Sequence, residues 1–333
     1  MDAYSRVLGS FFGAATGDAM GAATETMTPQ MICKRYGGYL DTFATPGPGT
    51  FLSGRPAASV TDDFSLAYFT AQAILDAGGI VNDEVAAKAL FLWSDHPEYY
   101  CFAGPSTKAA VMRLRAEPVP ESPIELACDN AKATNGSAMK IFPAGLMFPG
   151  RPEKAIEAAI TLCKPTHFNT ASLSGACAVA AAVSAAADGA TLPAVLDAGF
   201  LGAREGAKHG LPVSVASVEK RMELAVSIAE KKQSWEQTML DLADIVGSGL
   251  SANEAVPCVF GILAATDADT LSAIKMGVNI GNDTDTVATM VGAIAGAMNG
   301  AQSLPDAWLD QLCTVNGIDI PAIAKQFTEV FYR

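Results

Sequence analysis

The stretch NIGNDTDTVATMVGAIAGAMNG, residues 279–300, joins an acidic loop directly to a run of small residues. From residue 286 to residue 299, alanine and glycine recur among apolar side chains with no proline and no charge, a pattern typical of a buried helix. Similar small-residue segments lie around residues 8–22, 64–77, 83–94 and 171–187. Because small side chains let helix axes approach closely, these segments predict several helices packed around a shared centre.

The rest of the chain follows the same helical period. Apolar or small residues recur every three or four positions, and strict alternation typical of strands is nearly absent. Ser122 to Glu125 has the form of a capping box, and Gly78-Gly79 would end the helix that begins near Phe64. No linker or fixed-period repeat divides the sequence. We therefore expect an all-α fold, with residues 1–333 forming a single compact multi-helix domain.

Composition narrows the possible partners. The formal net charge of −13 opposes nucleic-acid binding, although an anionic substrate could bind where a cation offsets the field. The start of the chain lacks the pattern of a secretory signal, and the apolar stretches are interrupted before they reach spanning length. The seven cysteines are scattered without a CxxC pair. These features predict a cytoplasmic protein with reduced thiols, without a membrane or nucleic-acid partner.

The acidic loop at the start of the quoted stretch is the most specific feature. Asp283 and Asp285 lie two residues apart and Thr286 follows, a set of hard oxygen atoms that suits Mg²⁺, Mn²⁺ or Ca²⁺. The alternative is helix capping, because Asp and Thr satisfy the free N–H groups of a first turn. The loop alone is compatible with both interpretations, metal binding and helix capping.

Thr61-Asp62-Asp63 repeats this chemistry before the helix predicted over 64–77. Capping is again the alternative reading. Two such elements in one chain favour metal binding over capping, however, because four aspartates brought together without a cation would repel one another and take up protons. A centre with two metal ions would remove that conflict.

A third element, GAATGDAMGAATE, covers residues 13–25. Gly13, Gly17 and Gly21 recur at a spacing of four, which places them on one helix face and predicts close packing against another helix. Packing does not account for Asp18 and Glu25. These carboxylates are therefore further candidates for a functional site.

Taken together, these motifs resemble those of the ADP-ribosylglycohydrolases, particularly the branch containing the dinitrogenase reductase activating glycohydrolase. Besides the three elements above, the resemblance rests on matching segments that follow in family order through most of the chain: TMTPQ at 26–30, GPSTKA at 104–109, NGSAMKIFPAGL at 135–146 and TH at 166–167. It implies an all-α fold around a binuclear centre with two Mg²⁺ or Mn²⁺ ions. By motif position the implied metal ligands are Thr61, Asp62, Asp63, Asp283, Asp285 and Thr286.

The resemblance also implies roles beyond the metal ligands. Glu25 would activate the attacking water, and Asp62 and Asp285 would join it as catalytic residues. The positions implied to contact substrate are Gly104, Ser106, Thr107, Asn135, Gly136, Ser137 and His167. Without the resemblance, His167 is more simply a core imidazole. The aromatic set Tyr99, Tyr100, Phe102 and Phe142 either stacks on adenine or, as aromatic residues near clefts more often do, packs in the core.

The implied reaction is hydrolysis of the bond between ribose C1 of an ADP-ribosyl group and an acceptor, with an arginine-type side chain favoured. The substrate is then an ADP-ribosylated protein. A first alternative is a hydrolase of a small ribosylated metabolite or nucleoside, with residues 203–221 as a lid. A second is a non-catalytic metal-binding relative, which the presence of all four aspartates opposes. Asn282, Phe64 and Lys140 depart from the residues common in the family, which puts the substrate in question.

Overall fold

The computed structural model describes residues 1–120 and 126–332, which form seventeen α-helices and no β-strand. The predicted capping box at Ser122–Glu125 lies outside these residues. The expected all-α fold is confirmed. In chain order the helices are α1 (Ala3–Gly21), α2 (Pro29–Tyr36), α3 (Asp62–Asp76), α4 (Asp83–Ser94), α5 (Pro97–Tyr100), α6 (Pro105–Leu114), α7 (Phe142–Leu146), α8 (Pro152–Cys163), α9 (Thr170–Ala187), α10 (Leu192–Gly206), α11 (Val218–Ala229), α12 (Trp235–Asp241), α13 (Ala252–Ala265), α14 (Thr270–Asn279), α15 (Thr284–Asn299), α16 (Asp306–Asn316) and α17 (Ile320–Phe331).

Helices α1 and α15 pack so closely that their facing glycines leave no room for a Cβ atom. A Cβ atom added at Gly13 would lie 2.1 Å from the carbonyl oxygen of Gly292, and one added at Gly292 would lie 2.1 Å from that of Gly13. Gly17 meets Ala288 in the same way, also at 2.1 Å. The predicted role of these glycines in close packing is confirmed, and the contacts run antiparallel.

The antiparallel direction brings the end of α1 to the start of α15. A Cβ atom added at Gly21 would lie 2.5 Å from the backbone nitrogen of Asp285. The Thr284 hydroxyl donates a hydrogen bond to the Gly21 carbonyl oxygen over 2.8 Å, and the Thr24 hydroxyl lies 3.0 Å from that of Thr284. The acidic loop at 283–285 is therefore fixed beside the segment that ends in Glu25.

Helix α9 lies at the centre of the core. It is long and apolar enough to cross a membrane by length and composition, so the expectation that no apolar stretch reaches that length was wrong here. However, 94% of the helix is buried inside the molecule, as in the core helix of a soluble protein. Gly202 and Gly206 of α10 contact its backbone at Cys177 and Leu173.

The end of α3 and the cysteines are two further features that the sequence predicted. Helix α3 ends at Asp76, where Gly78 and Gly79 adopt positive φ angles and donate hydrogen bonds back to Leu75 and Ile74. The predicted stop signal at Gly78-Gly79 is therefore confirmed. All seven cysteines are free thiols, and three of them are buried.

Candidate active site

Asp283 occupies the N-cap position of α15 but does not act as a cap. Its side chain makes no capping hydrogen bond, and instead accepts one from the Asn135 side-chain amide over 2.5 Å. Asp283 as a whole residue is 4% exposed, and its backbone N–H donates to the Ser248 carbonyl oxygen. Helix capping therefore does not explain this aspartate.

The capping of α3 is shared between Thr61 and a residue from another helix. The Thr61 hydroxyl accepts a hydrogen bond from the Asp63 backbone N–H over 3.2 Å. The carboxylate of Asp18 accepts from the backbone N–H groups of Thr61 and Phe64 at 3.0 and 2.9 Å. Asp18 thus ties α1 to the start of α3. Sequence reasoning singled out Asp18 but missed this function, because its partners lie more than 40 residues away.

The capping bonds leave the other carboxylates of both loops free to face one another. Ligand oxygens of Glu25, Asp283 and Asp285 all lie within 4.8 Å of one another. Burial is the main cause of the raised pKa values of Asp62, Asp63 and Asp285. Repulsion adds to it, from Asp63 on Asp285 and from Asp283 on Asp62 and Asp63. The structure therefore brings the three acidic sequence elements together at one place.

Burial and mutual repulsion make this cluster costly in its ionised form. Burial raises the pKa of Glu25 to about 8 and that of Asp62 to about 8, and neighbouring carboxylates add to both shifts. The pKa values of Asp63 and Asp285 lie well above their usual range for the same reasons. Like charges held together in this way indicate a functional site rather than a structural one.

The cluster also contains buried oxygen atoms that have no hydrogen bond to any residue that the structure describes. These are Oδ1 of Asp63 and Oδ1 of Asp285, whose residues are 3% and 4% exposed. A divalent cation would satisfy these oxygens and offset the repulsion, and hard carboxylate and hydroxyl oxygens are the ligands that Mg²⁺ and Mn²⁺ prefer. The residues present therefore fit a metal site, in which the geometry adds Glu25 as a candidate ligand.

The segment expected to contact substrate begins next to the cluster. Asn135 is 3% exposed and holds Asp283, a link that joins α15 to a loop 148 residues away. Ser137 is fully buried, and its hydroxyl donates to the Ser172 carbonyl oxygen. A Cβ atom added at Gly136 would lie 3.0 Å from the imidazole of His167. Their substrate contacts remain predictions.

His167 and Lys140 form a second buried polar group. The Nε2 atom of His167 lies 3.0 Å from the Thr134 hydroxyl, whereas its Nδ1 atom has no hydrogen bond within residues 1–120 and 126–332. Burial, aided by the charge of Lys140, lowers the pKa of His167 to about 3. The imidazole is therefore neutral and can accept or donate one hydrogen bond at Nδ1.

The loop that opens α6 lies on the Asp62 side of the cluster. Gly104 is exposed, Ser106 is half-buried and Thr107 is 3% exposed. The exposed Lys108 lies close enough to Asp62 to oppose the rise of its pKa. Sequence reasoning missed Lys108, although it lies within the quoted GPSTKA segment.

The aromatic residues and the 203–221 segment have different surroundings. Phe142 is fully buried with its ring centroid 5.0 Å from that of Phe11, which makes it a core residue rather than an adenine platform. The segment after α10 pairs with Phe168 and Thr170 through Leu211. It therefore lies beside the loop that carries His167.

The chain belongs to the ADP-ribosylglycohydrolase family, whose model matches residues 1–333. It is 31% identical over 320 residues to an uncharacterized protein, YegU, of Escherichia coli strain K12, covering 94% of this chain and 93% of that protein. It is 26% identical to the bovine (Bos taurus) ADP-ribosylhydrolase ARH3, with coverage of 99% and 94%. The protein is therefore a hydrolase.

Two further similarities agree with the family. The ADP-ribosyl-[dinitrogen reductase] glycohydrolase of Rhodospirillum rubrum is 25% identical over 310 residues, covering 93% of this chain and 90% of the relative. A solved ADP-ribosylglycohydrolase-related protein complex has the same fold, with a TM-score of 0.66, 22% identity and 98% coverage of both chains. The expected resemblance is confirmed by both sequence and fold.

Proposed function

We propose that the protein hydrolyses the bond between ribose C1 of an ADP-ribosyl group and the side-chain nitrogen of an arginine-type acceptor. The observation that carries the proposal is the meeting of Glu25 with Asp283 and Asp285 within 4.8 Å, beside the Asp62-Asp63 pair. Similarity to a glycohydrolase named for ADP-ribosyl-dinitrogen reductase supports a protein substrate.

The proposed site would hold two Mg²⁺ or Mn²⁺ ions. The residues that would bind them are Thr61, Asp62, Asp63, Asp283, Asp285 and Thr286. When bound, the ions supply positive charge that offsets the carboxylates and polarises substrate hydroxyl groups and water. Asn135 would keep Asp283 oriented through the 2.5 Å hydrogen bond, as residues behind a metal ligand commonly do.

Within this proposal Glu25 accepts a proton from the attacking water. The water oxygen bonds to C1 as the bond from C1 to the guanidine nitrogen breaks, and that nitrogen takes up the proton that Glu25 accepted from the water. Asp62 and Asp285 stabilise the positive charge that develops on the ribose ring. Substrate contacts from Gly104, Ser106 and Thr107 on one side, and from Asn135, Gly136, Ser137 and His167 on the other, would position the ADP-ribose.

A panel of substrates separates this proposal from its alternatives. Purified protein with Mg²⁺ or Mn²⁺ is incubated with ADP-ribosylarginine, a serine-linked ADP-ribosyl peptide and simple nucleosides, and released products are followed by mass spectrometry. ADP-ribose from the arginine substrate supports the proposal. Cleavage of nucleosides alone would favour a small-metabolite hydrolase, and loss of all turnover would favour a non-catalytic relative. The single-domain organisation and cytoplasmic location remain predictions, testable by limited proteolysis and cell fractionation.

A further inference from the structure

A cavity of about 350 Å³ lies next to the acidic cluster and outside the segments assigned to ADP-ribose. Three parts of the chain line it: Thr26 to Gln30, residues between 240 and 248, and Ile280 to Asn282. Thr26 directly follows Glu25 and Asn282 directly precedes Asp283. The wall of the cavity is therefore continuous with the backbone that carries two of the clustered carboxylates.

One carboxylate and two amide side chains at this cavity have no partner in the described part of the chain. They belong to Gln30, Asp244 and Asn282, all of them exposed. No hydrogen bond or ion pair joins their side chains to another described residue. Asp244 lies in the π-helical turn Leu242–Val246, a distortion that is often found at functional sites. The cavity thus presents one unpaired carboxylate and two unpaired amides.

The charges around the cluster are distributed unevenly. Among the described residues, none that lines the cavity is Lys, Arg or His. On the Asp62 side, by contrast, Lys108 faces the cluster. A diphosphate would be repelled by Asp244 and attracted toward Lys108. The cavity is therefore better suited to the cationic leaving group than to the ADP portion of the substrate.

The backbone connection between cavity and cluster is short and constrained. Thr26 and Asn282 both have a φ of 66°, a left-handed conformation that is rare for a β-branched residue such as Thr26. The Thr26 N–H donates to the Asn282 carbonyl oxygen over 2.7 Å, and the Asn282 N–H donates to that of Met27 over 2.9 Å. This pairing fixes the cavity wall relative to Glu25 and Asp283.

We propose that this cavity binds the guanidinium group of the acceptor side chain, with Asp244 as the residue that selects for its charge. A guanidinium that carries ribose on one nitrogen keeps four N–H donors in a planar arrangement. Asp244 would accept two of them, and the amide oxygens of Gln30 and Asn282 would accept others. The inference rests on the proposed function and adds to it the site that recognises the acceptor.

The test compares Asp244→Asn with the unaltered protein on arginine-linked and serine-linked ADP-ribosyl peptides. We expect the KM for the arginine substrate to rise about tenfold, the usual effect of losing a hydrogen bond to a charged group. The KM for the serine substrate should not change. Asp241→Asn, which alters the charge equally just before the same turn but does not line the cavity, should leave both KM values unchanged.

Binding of agmatine, a guanidinium probe, measured by calorimetry gives a readout that needs no turnover. Agmatine should bind the unaltered protein and Asp241→Asn about equally, and Asp244→Asn about tenfold more weakly. Equal binding to all three proteins, or an unchanged KM in Asp244→Asn, would overturn the inference while leaving the proposed function intact. Turnover of serine-linked substrate only would instead overturn the arginine acceptor itself.

Discussion

Gly13→Ala should separate helices α1 and α15. The new Cβ atom would lie 2.1 Å from the Gly292 carbonyl oxygen, about 1.3 Å short of the 3.4 Å at which ordinary contact begins. The obstacle is backbone, so it cannot rotate away. Overpacking of this kind costs about 1–3 kcal/mol, and the better helix propensity of alanine returns about 1 kcal/mol. The net loss is then about 0–2 kcal/mol, and we expect the upper end, about 2 kcal/mol, because the obstacle is backbone.

The assay is thermal unfolding followed by circular dichroism, with metal affinity measured on the same samples. A loss of about 2 kcal/mol corresponds to a fall in Tm of about 3 °C for a chain of this size. Metal affinity should fall too, since α1 leads to Glu25 and α15 carries Asp285. Gly47→Ala is the matched control, because its Cβ would meet only the flexible end of Arg35, 3.2 Å away. An unchanged Tm in Gly13→Ala would refute the packing argument.

Two further predictions concern the acidic cluster. Asn135→Ala should weaken binding of Mn²⁺ about 10- to 100-fold in a calorimetric titration, because Asp283 loses the hydrogen bond that orients it. The control is Asn130→Ala, which removes a side chain that bonds to Ser214. Equal Mn²⁺ affinity in both variants would contradict the role assigned to Asn135. A second prediction concerns the metal-free protein, in which the pKa values of Glu25 and Asp62 are raised to about 8. Between about pH 4 and pH 8 these two carboxyl groups are therefore protonated in the folded state but ionised in the unfolded state. The free energy of unfolding should therefore fall as the pH rises from about 4 to about 8, with a Tm lower by about 5 °C at pH 8 than at pH 6 in EDTA. Saturating Mg²⁺ should remove most of that difference, whereas a Tm that rises with pH in EDTA would contradict the cluster's electrostatics.

The positions of the helices and of their small-residue faces can be predicted from the sequence, because both depend on the spacing of nearby residues. The four-residue repeat of Gly13, Gly17 and Gly21 is enough to indicate a packing face. It cannot identify α15 as the partner or the antiparallel direction, since a local repeat contains no information about which distant helix presents the matching face. That pairing is set by Gly292 and by the backbone at Ala288.

The same limit applies to the site. Sequence spacing cannot show whether Asp283 caps a helix or binds a metal ion. In the structure its side chain makes no capping hydrogen bond and instead accepts one from Asn135, which argues against capping. The sequence shows that packing does not explain Asp18, but the capping of α3 by this residue is a contact between distant segments. Lys108 and Asp244 lie on flanks of the cluster that only the folded chain defines. Long-range contacts thus account for what the motifs leave open.

The most direct test of the central claim is metal-dependent release of ADP-ribose from ADP-ribosylarginine by the EDTA-treated protein and by Asp283→Ala. We predict no turnover without metal and recovery as Mg²⁺ or Mn²⁺ is added. We also predict a loss of at least about 100-fold in Asp283→Ala at every metal concentration, in line with loss of a metal-assisted catalytic step. Asp269→Ala, which removes an exposed helix cap away from the cluster, should retain full activity. Equal, metal-independent rates for the unaltered protein and Asp283→Ala would contradict the claim that the acidic cluster is the catalytic centre.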